Sequence, residues 1–263
     1  MVANVDIHHS AIIEDGAEIG DGTSVGPFCF VGSKVRLGQN VELKSHVVIK
    51  GDTHLGDENT IFPFAVLGEI PQDKKFNGES TCLKIGNRNQ IREHVTINVG
   101  TRGGGGITKV GNDGLFMAGC HIAHDAQVGD NVILVNNASL AGHCIIEDNV
   151  IVGGLSGVHQ FVRIGEGAII GAVTMVTNDV IPYGLVQAPR GELDGLNLVG
   201  LKRKGVPRAD IMALRAAFQT LSQGDGTFQD RAQKLTDDSD SEYVEKIVSF
   251  VLGHSDRSFL TPR

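Results

Sequence analysis

Between Val110 and Val176 the chain reads VGNDGLFMAGCHIAHDAQVGDNVILVNNASLAGHCIIEDNVIVGGLSGVHQFVRIGEGAIIGAVTMV. Counting through it in steps of six lands on Val110, Phe116, Ile122, Val128, Leu134, Leu140, Ile146, Val152, Val158, Ile164, Ile170 and Val176, all of them apolar. The same step upstream runs Ile7, Ile13, Ile19, Val25, Val31, Leu37, Leu43, Ile49, Leu55, Ile61 and Leu67. It resumes at Ile85, Ile91 and Ile97 and slips by one residue before Val110, so 26 positions fall on the grid without a miss. Neither the helical period nor the strand period alone produces such a row. Two residues before the hits the residues are mostly small or β-branched, as at Cys29, Val47, Cys120, Ala138 and Cys144. One residue after it there is often a glycine, as at Gly20, Gly38, Gly86 and Gly129. Short strands carrying one inward aliphatic residue, separated by Gly- and Asx-rich turns, make a hexapeptide-repeat parallel β-helix. Three hexapeptides close one triangular coil, and successive coils stack at about 4.8 Å.

Composition agrees with a thin prism. Of 263 residues, 35 are Gly, none is Trp and two are Tyr; a narrow aliphatic interior has no room for an indole. Lys+Arg 23 against Asp+Glu 31 gives a net charge of −8, which argues against nucleic acid as a partner because phosphate neutralisation needs a basic face. The first residues lack the basic and apolar regions of a secretory signal, and no apolar run approaches the ~18 residues that span a bilayer. A soluble, cytoplasmic protein without a transmembrane segment is expected. Its four cysteines form no CxxC pair, and Cys29, Cys120 and Cys144 fall in the small interior slot, so a packing role is expected rather than a metal or disulfide one.

The pattern divides the chain into residues 1–184, a β-helix, and residues 185–263, a small α-helical C-terminal domain. Pro182 is read as ending the repeat. After it, Ile211, Leu214, Phe218 and Leu221 recur at helical spacing behind Pro207, and Tyr243, Ile247, Phe250 and Val251 mark a second helix. Two polar stretches, 68–84 and 98–109, break the β-helix and are the expected places for recognition. The second holds Gly103 to Gly106, yet the Lys-Ser/Thr ending and following helix of a phosphate-binding loop are missing.

Five of the ten histidines, His94, His121, His124, His143 and His159, cluster in the repeat. An 18-residue coil stacks His124 on Gly142 and Gln160, and Asp125 on His143 and Phe161, within about two rungs or ~10 Å. None occupies the inward position. Three readings follow from spacing alone. A neutral imidazole beside a carboxylate is a general base near pH 7. Converging imidazoles can hold a catalytic zinc. Or these are solvated turn residues of a polar outer surface.

The residues also resemble a known family. His121-Ile122-Ala123-His124-Asp125, Asn136-Asn137, Ala141-Gly142-His143 and Val158-His159-Gln160-Phe161 resemble the acyl-ACP–UDP-N-acetylglucosamine O-acyltransferases that open lipid A biosynthesis. So do Pro71-Gln72-Asp73, Gly104-Gly105-Gly106 with Thr108-Lys109, and Asn197 with Gly200-Leu201-Lys202-Arg203. What the resemblance implies is a left-handed β-helix, a homotrimer with sites between subunits, and transfer of a 3-hydroxyacyl chain from acyl carrier protein to the sugar 3-hydroxyl. By the family pattern His124 is the general base, Asp125 orients it, and the Gly142 N–H forms the oxyanion hole. Gln72, Asp73, Lys75, His121, His143, His159, Gln160, Asn197 and Arg203 would bind the substrates. No metal or cofactor is implied beyond the pantetheine arm of the carrier. A residue matching Ala172 is part of the family's acyl-length ruler.

A sugar hydroxyl needs a base, whereas a thioester is already activated, so direct attack without a covalent enzyme intermediate is the simplest chemistry. The acyl chain would use outward rows near Ala168, Ile170, Ala172 and Val173. Lys202, Arg203, Lys204 and Arg208 form the basic patch expected to dock an acidic carrier. Asn98 and Val99, Val199, and Ala188-Pro189-Arg190 depart from the family pattern. They leave open acylation of the 3-amino sugar analogue, while a zinc-dependent hydratase or hydrolase and a non-catalytic scaffold are the alternatives from other classes.

Overall fold

The computed structural model describes residues 5–187, 191–223, 225–236 and 240–262; the Ala188-Pro189-Arg190 departure lies outside them. Every grid residue lies in a short strand, and the strands fall into three sheets of eleven, nine and eight strands, parallel except for one terminal pair, here faces A, B and C. Successive coils pair in register at 18 residues: Val25 with Leu43, Ile49 with Leu67, Ile122 with Leu140, and Leu140 with Val158. The result is a left-handed parallel β-helix with a small helical part at its C-terminal end.

The grid residues form the core: Val31, Ile49, Ile61, Leu67, Ile91, Ile122, Leu134 and Leu140 are fully buried. Cys29, Cys120 and Cys144 are buried beside them in the small slot and pair with no other cysteine. Burial pushes the Cys144 thiol up to about 12 and that of Cys120 to about 11, so both act as small apolar fillers. Phe116 is the largest fully buried side chain, and it fits because Gly114, two residues before it, has no Cβ; a methyl there would stand 2.7 Å from its ring.

The glycines after the grid positions serve a purpose other than turn conformation. Left-handed backbone falls three residues after the hit, on Asn40, Arg88, Asp125, Asn131, His143 and their equivalents. Gly38, Gly56, Gly86 and Gly111 instead stack coil upon coil where faces C and A meet, each with a would-be Cβ 2.6–2.8 Å from the backbone of the next glycine in the column. An Asx ladder runs alongside: the N–H groups of Asp57, Asn87, Asn112 and Asp130 donate to Asn87, Asn112, Asp130 and Asp148 Oδ1, each at 2.7–2.8 Å.

Two coils are longer. Leu67 pairs with Ile97, 30 residues on, and Ile97 with Ile122, 25 residues on. The extra chain leaves the same corner both times, between faces B and C, as irregular segments 70–81 and 99–106. Pro182 does not end the ladder. Val180 still bridges Ile164, Val186 pairs with Ile170 after a coil shortened to 16 residues, and Glu192–Leu196 adds antiparallel to Gly184–Gln187. Helices α1 (Leu198–Arg203), α2 (Arg208–Ser222), α3 (Phe228–Lys234) and α4 (Glu242–Leu252) follow. Ile211, Leu214, Leu221, Ile247 and Val251 bury the apolar stripes read from the sequence, and Pro207 caps α2 from just outside it. No helix among the described residues is long and apolar enough to cross a membrane.

Candidate active site

The corner between faces B and C, below the two excursions, carries the turns Ala123–Ala126, Ala141–Cys144 and His159–Val162 one above another. Stacking is direct: His143 N–H donates to His124 C=O at 3.0 Å and Phe161 N–H to Gly142 C=O at 3.2 Å. Asp125, His143 and Phe161 take left-handed backbone at φ 60°, 63° and 63°. That conformation lays the His143 and Phe161 rings face to face, 4.4 Å apart at 6°. The two columns expected from the 18-residue coil are therefore both present.

Asp125 is the hub. Its side chain is 0% exposed although it points away from the core, because the second excursion folds over it. Thr101 N–H donates to Oδ1 at 2.8 Å, Thr101 Oγ1–H to Oδ2 at 2.6 Å, and His124 Nδ1 lies 2.8 Å from Oδ2. Asp125 N–H donates to Thr108 Oγ1 at 2.8 Å. A carboxylate only accepts, so Nδ1 of His124 carries the ring proton and Nε2 presents its lone pair. The ring lies over Gly142, whose N–H makes no hydrogen bond within the described residues.

His143 Nδ1 stands 3.8 Å from Asp125 Oδ2. Burial holds the His143 imidazole below its ordinary value near 6.5 even though Asp125 pulls the other way. His121, an outward residue of face B, is held low by burial and then by His124, while its Nδ1 meets Thr96 Oγ1 at 2.7 Å. Both rings are kept neutral near pH 7.

Two cavities flank this corner. One, of about 720 Å³, is lined by Asp73, Lys75, Thr101, Arg102, His143 and Phe161; the other, of about 420 Å³, by Gln72, His121, His124, Gly142, Gln160 and Met175. His159 lines the second as well. The first excursion thus sends Gln72 to the smaller cavity and Asp73 with Lys75 to the larger. The floor of the smaller cavity is the outward row Ser139, Gly157 and Met175 of face B.

Several expectations change. His94 sits at the corner between faces A and B, stacked on Phe64 at 5.1 Å and 8° in the ladder Phe28–His46–Phe64–His94, on a different corner from His124 and His143. Ala168 and Ile170 belong to the core at 0% and 1% exposure, so they cannot line a groove; they occupy the inward and small slots of the grid. Ala172 is in an exposed turn beside Met175. Asn197 caps α1, accepting from Gly200 N–H at 2.9 Å and donating to Gly167 C=O at 3.0 Å. Neither it nor Arg203 lines the two cavities. Asn98 and Val99 are buried, with Asn98 Nδ2 donating to the Glu69 and Ile70 carbonyls at the root of the first excursion. Val199 is exposed on α1.

Sequence reasoning missed three contributors. Thr101 and Thr108 were visible as residues but not as partners of Asp125. Arg257 arrives from the C-terminal end, with Nη2 2.8 Å from His159 Nδ1 and Nε donating to Gln160 C=O at 3.0 Å. A guanidinium only donates, so His159 Nδ1 accepts and its Nε2 carries the proton.

The donor atoms of His124, Asp125 and His143 lie within 4.8 Å of one another, the one trio of that kind among the described residues. A cation there would compete with three hydrogen bonds already made to the Asp125 carboxylate. The arrangement suits proton transfer better than metal ligation.

Comparison with known proteins agrees with the fold. Residues 179–260 match the family model described as UDP N-acetylglucosamine O-acyltransferase, domain 2, and residues 16–51 the bacterial transferase hexapeptide. An acyl-[acyl-carrier-protein]–UDP-N-acetylglucosamine O-acyltransferase of Paracoccus denitrificans is 66% identical over 202 residues, 77% of each chain. That of Agrobacterium fabrum is 44% identical over 264 residues, 100% of this chain and 97% of its own. Among solved structures, the UDP-N-acetylglucosamine acyltransferase from Campylobacter jejuni superposes with a TM-score of 0.92 at 39% identity, covering 98% of this chain and 100% of that one. At these identities and coverages, this chain belongs to the family of acyl-[acyl-carrier-protein]–UDP-N-acetylglucosamine O-acyltransferases.

Proposed function

We propose that this enzyme transfers a 3-hydroxyacyl chain from acyl carrier protein to the 3-hydroxyl of UDP-N-acetylglucosamine, the first step of lipid A biosynthesis, with His124 as general base. The observation that carries this reading is the His124–Asp125 pair: a buried imidazole with its Nδ1 proton held by a carboxylate and its Nε2 lone pair beside Gly142, both lining the smaller cavity.

In this mechanism Nε2 of His124 takes the proton as the sugar oxygen attacks the thioester carbon. The C–O bond forms, the carbonyl oxygen becomes an oxyanion, and the Gly142 N–H donates to it. Collapse breaks the C–S bond, and the imidazolium returns its proton to the departing pantetheine thiolate. Asp125 stabilises the imidazolium throughout. No metal, cofactor or enzyme nucleophile is needed, because the thioester supplies the activation.

Gln72, Asp73, Lys75, His121, His143, His159 and Gln160 hold the nucleotide sugar and the pantetheine arm. The acyl chain follows the row Ser139–Gly157–Met175, ending against Met175 and the Ala172 turn. Asn197 and Arg203 reach the nucleotide from a neighbouring copy in a homotrimer. Two features support this: neither lines its own chain's cavities, and the outward row of face B next to the site is apolar at Ile12, Phe30, Val48 and Val66. Exposed Lys202, Arg203, Lys204 and Arg208 offer the carrier a basic landing. The unpaired cysteines fit a cytoplasmic location. Hydroxyl rather than amine acylation is favoured because the departures at Asn98 and Val99 are buried at the root of an excursion and touch neither cavity.

Mass spectrometry of products tests the reading. The enzyme is offered UDP-N-acetylglucosamine or its 3-amino analogue, with 3-hydroxyacyl carrier proteins of graded length. A 3-O-acylated sugar is expected, with longer chains accepted by Met175→Gly. An acylated amine alone, or no acylated sugar from any donor, would overturn it.

A further inference from the structure

We propose that the glycine-rich second excursion is a carboxylate clamp, in which Thr101 is the positioning residue that fixes Asp125 and, through it, the proton of His124. The inference rests on the acyl-transfer reading for its kinetic consequence, but its geometry stands independently. Asp125 Oδ2 accepts from both Thr101 Oγ1–H and His124 Nδ1–H, and Oδ1 accepts from Thr101 N–H. Backbone and hydroxyl of one residue thereby grip both carboxylate oxygens, and the plane that remains points at a single ring nitrogen. Thr101 is itself 6% exposed, so water does not compete for those positions.

The glycine run is what lets the clamp close. A Cβ on Gly104 would lie 2.0 Å from Asp125 Cγ and 2.3 and 2.4 Å from its two oxygens; the backbone passes directly over the carboxylate. Gly105 and Gly106 turn the chain back at φ 92° and 82°, and Gly106 N–H donates to Thr101 C=O at 2.8 Å, closing the loop on its own start. Thr108, on the outgoing strand Ile107–Val110, then accepts Asp125 N–H. One short segment thus approaches the aspartate from above with Gly104, from the front with Thr101 and from behind with Thr108. A buried carboxylate held by three donors keeps one orientation, so His124 is locked in the tautomer whose lone pair faces the substrates.

Three variants test the clamp. Thr101→Val removes the hydroxyl at nearly constant shape, Thr101→Ser retains it, and Gly104→Ala drives a methyl into the carboxylate. With saturating substrates, Thr101→Val is expected to lower kcat about ten- to a hundredfold, as lost orienting partners of functional histidines do, while KM stays within about twofold of the parent enzyme. Thr101→Ser restores most of the rate. A purely structural role would not give that split or that rescue. In parallel, 15N-histidine spectra read the His124 tautomer without any turnover: protonated Nδ1 in the parent, a mixture in Thr101→Val and Gly104→Ala. Parent-like kcat and tautomer in Thr101→Val, or loss of rate in a folded Thr101→Ser, would overturn the inference. Should the parent enzyme acylate no sugar, the functional reading fails and the tautomer experiment still decides the clamp.

Discussion

The imidazole of His124 rests on the bare backbone of Gly142, so closely that a methyl on the glycine would stand 2.6 Å from Cε1 and 2.8 Å from Nε2 of the ring. Gly142→Ala therefore moves the base or the turn that carries it. Because misplacement by about 1 Å costs on the order of a hundredfold in rate, kcat should fall by about that factor with the fold intact. Steady-state kinetics beside circular dichroism check both halves.

Gly86 tests the coil column rather than the site. Its missing Cβ would meet Gly111 O at 2.7 Å and Gly111 C at 2.9 Å, backbone atoms that cannot rotate away. Gly86→Ala is expected to cost about 1–3 kcal/mol, typical of overpacking, and to lower Tm by several degrees. The specific activity of the folded fraction should survive, since this column runs along a different corner from His124 and Gly142.

Arg257 joins the C-terminal segment to the site through His159 and Gln160. Arg257→Leu leaves His159 free to choose either tautomer and frees the Gln160 turn. Loss of charged hydrogen bonds worth about 1.5–3 kcal/mol should raise substrate KM about tenfold or more, with a smaller effect on kcat. Lysine has no planar fork to bridge both partners, so Arg257→Lys should rescue only in part. Competition binding of nucleotide sugar measures the difference directly.

Acid should weaken the fold through His121 and His143, both held below the ordinary value near 6.5. Between the folded value and 6.5 the unfolded chain binds protons that the folded chain does not. Stability therefore rises with pH across that window and is lost as pH drops from about 6.5 toward the folded values. Tm measured from pH 7 to pH 5 should decline, and His121→Gln or His143→Asn should flatten the decline.

Much of this was legible because a solenoid converts sequence distance into space. Adding 18 to His124 and Asp125 identified both columns before any coordinate. The same grid held information left unread. Ile91 lies on face A and Ile122 on face B, so His94 and Asp125, each three residues after its hit, sit on different corners. Ile170 is itself a hit and Ala168 its small partner, so both point inward. What periodicity could not reveal is non-periodic: the excursion bringing Thr101 over Asp125, and Arg257 returning to His159 from 98 residues away. Nor does counting distinguish a glycine needed for its φ from one needed because the neighbouring coil is too close.

The most direct measurement is the single-turnover rate of His124→Ala with 3-hydroxyacyl carrier protein and UDP-N-acetylglucosamine, on protein shown to be folded and to bind the nucleotide sugar as the parent does. If His124 removes the sugar proton, the rate falls by about 10²–10⁴, the range of general-base contributions. A folded, substrate-binding His124→Ala enzyme that forms product at the parent rate would contradict the assignment.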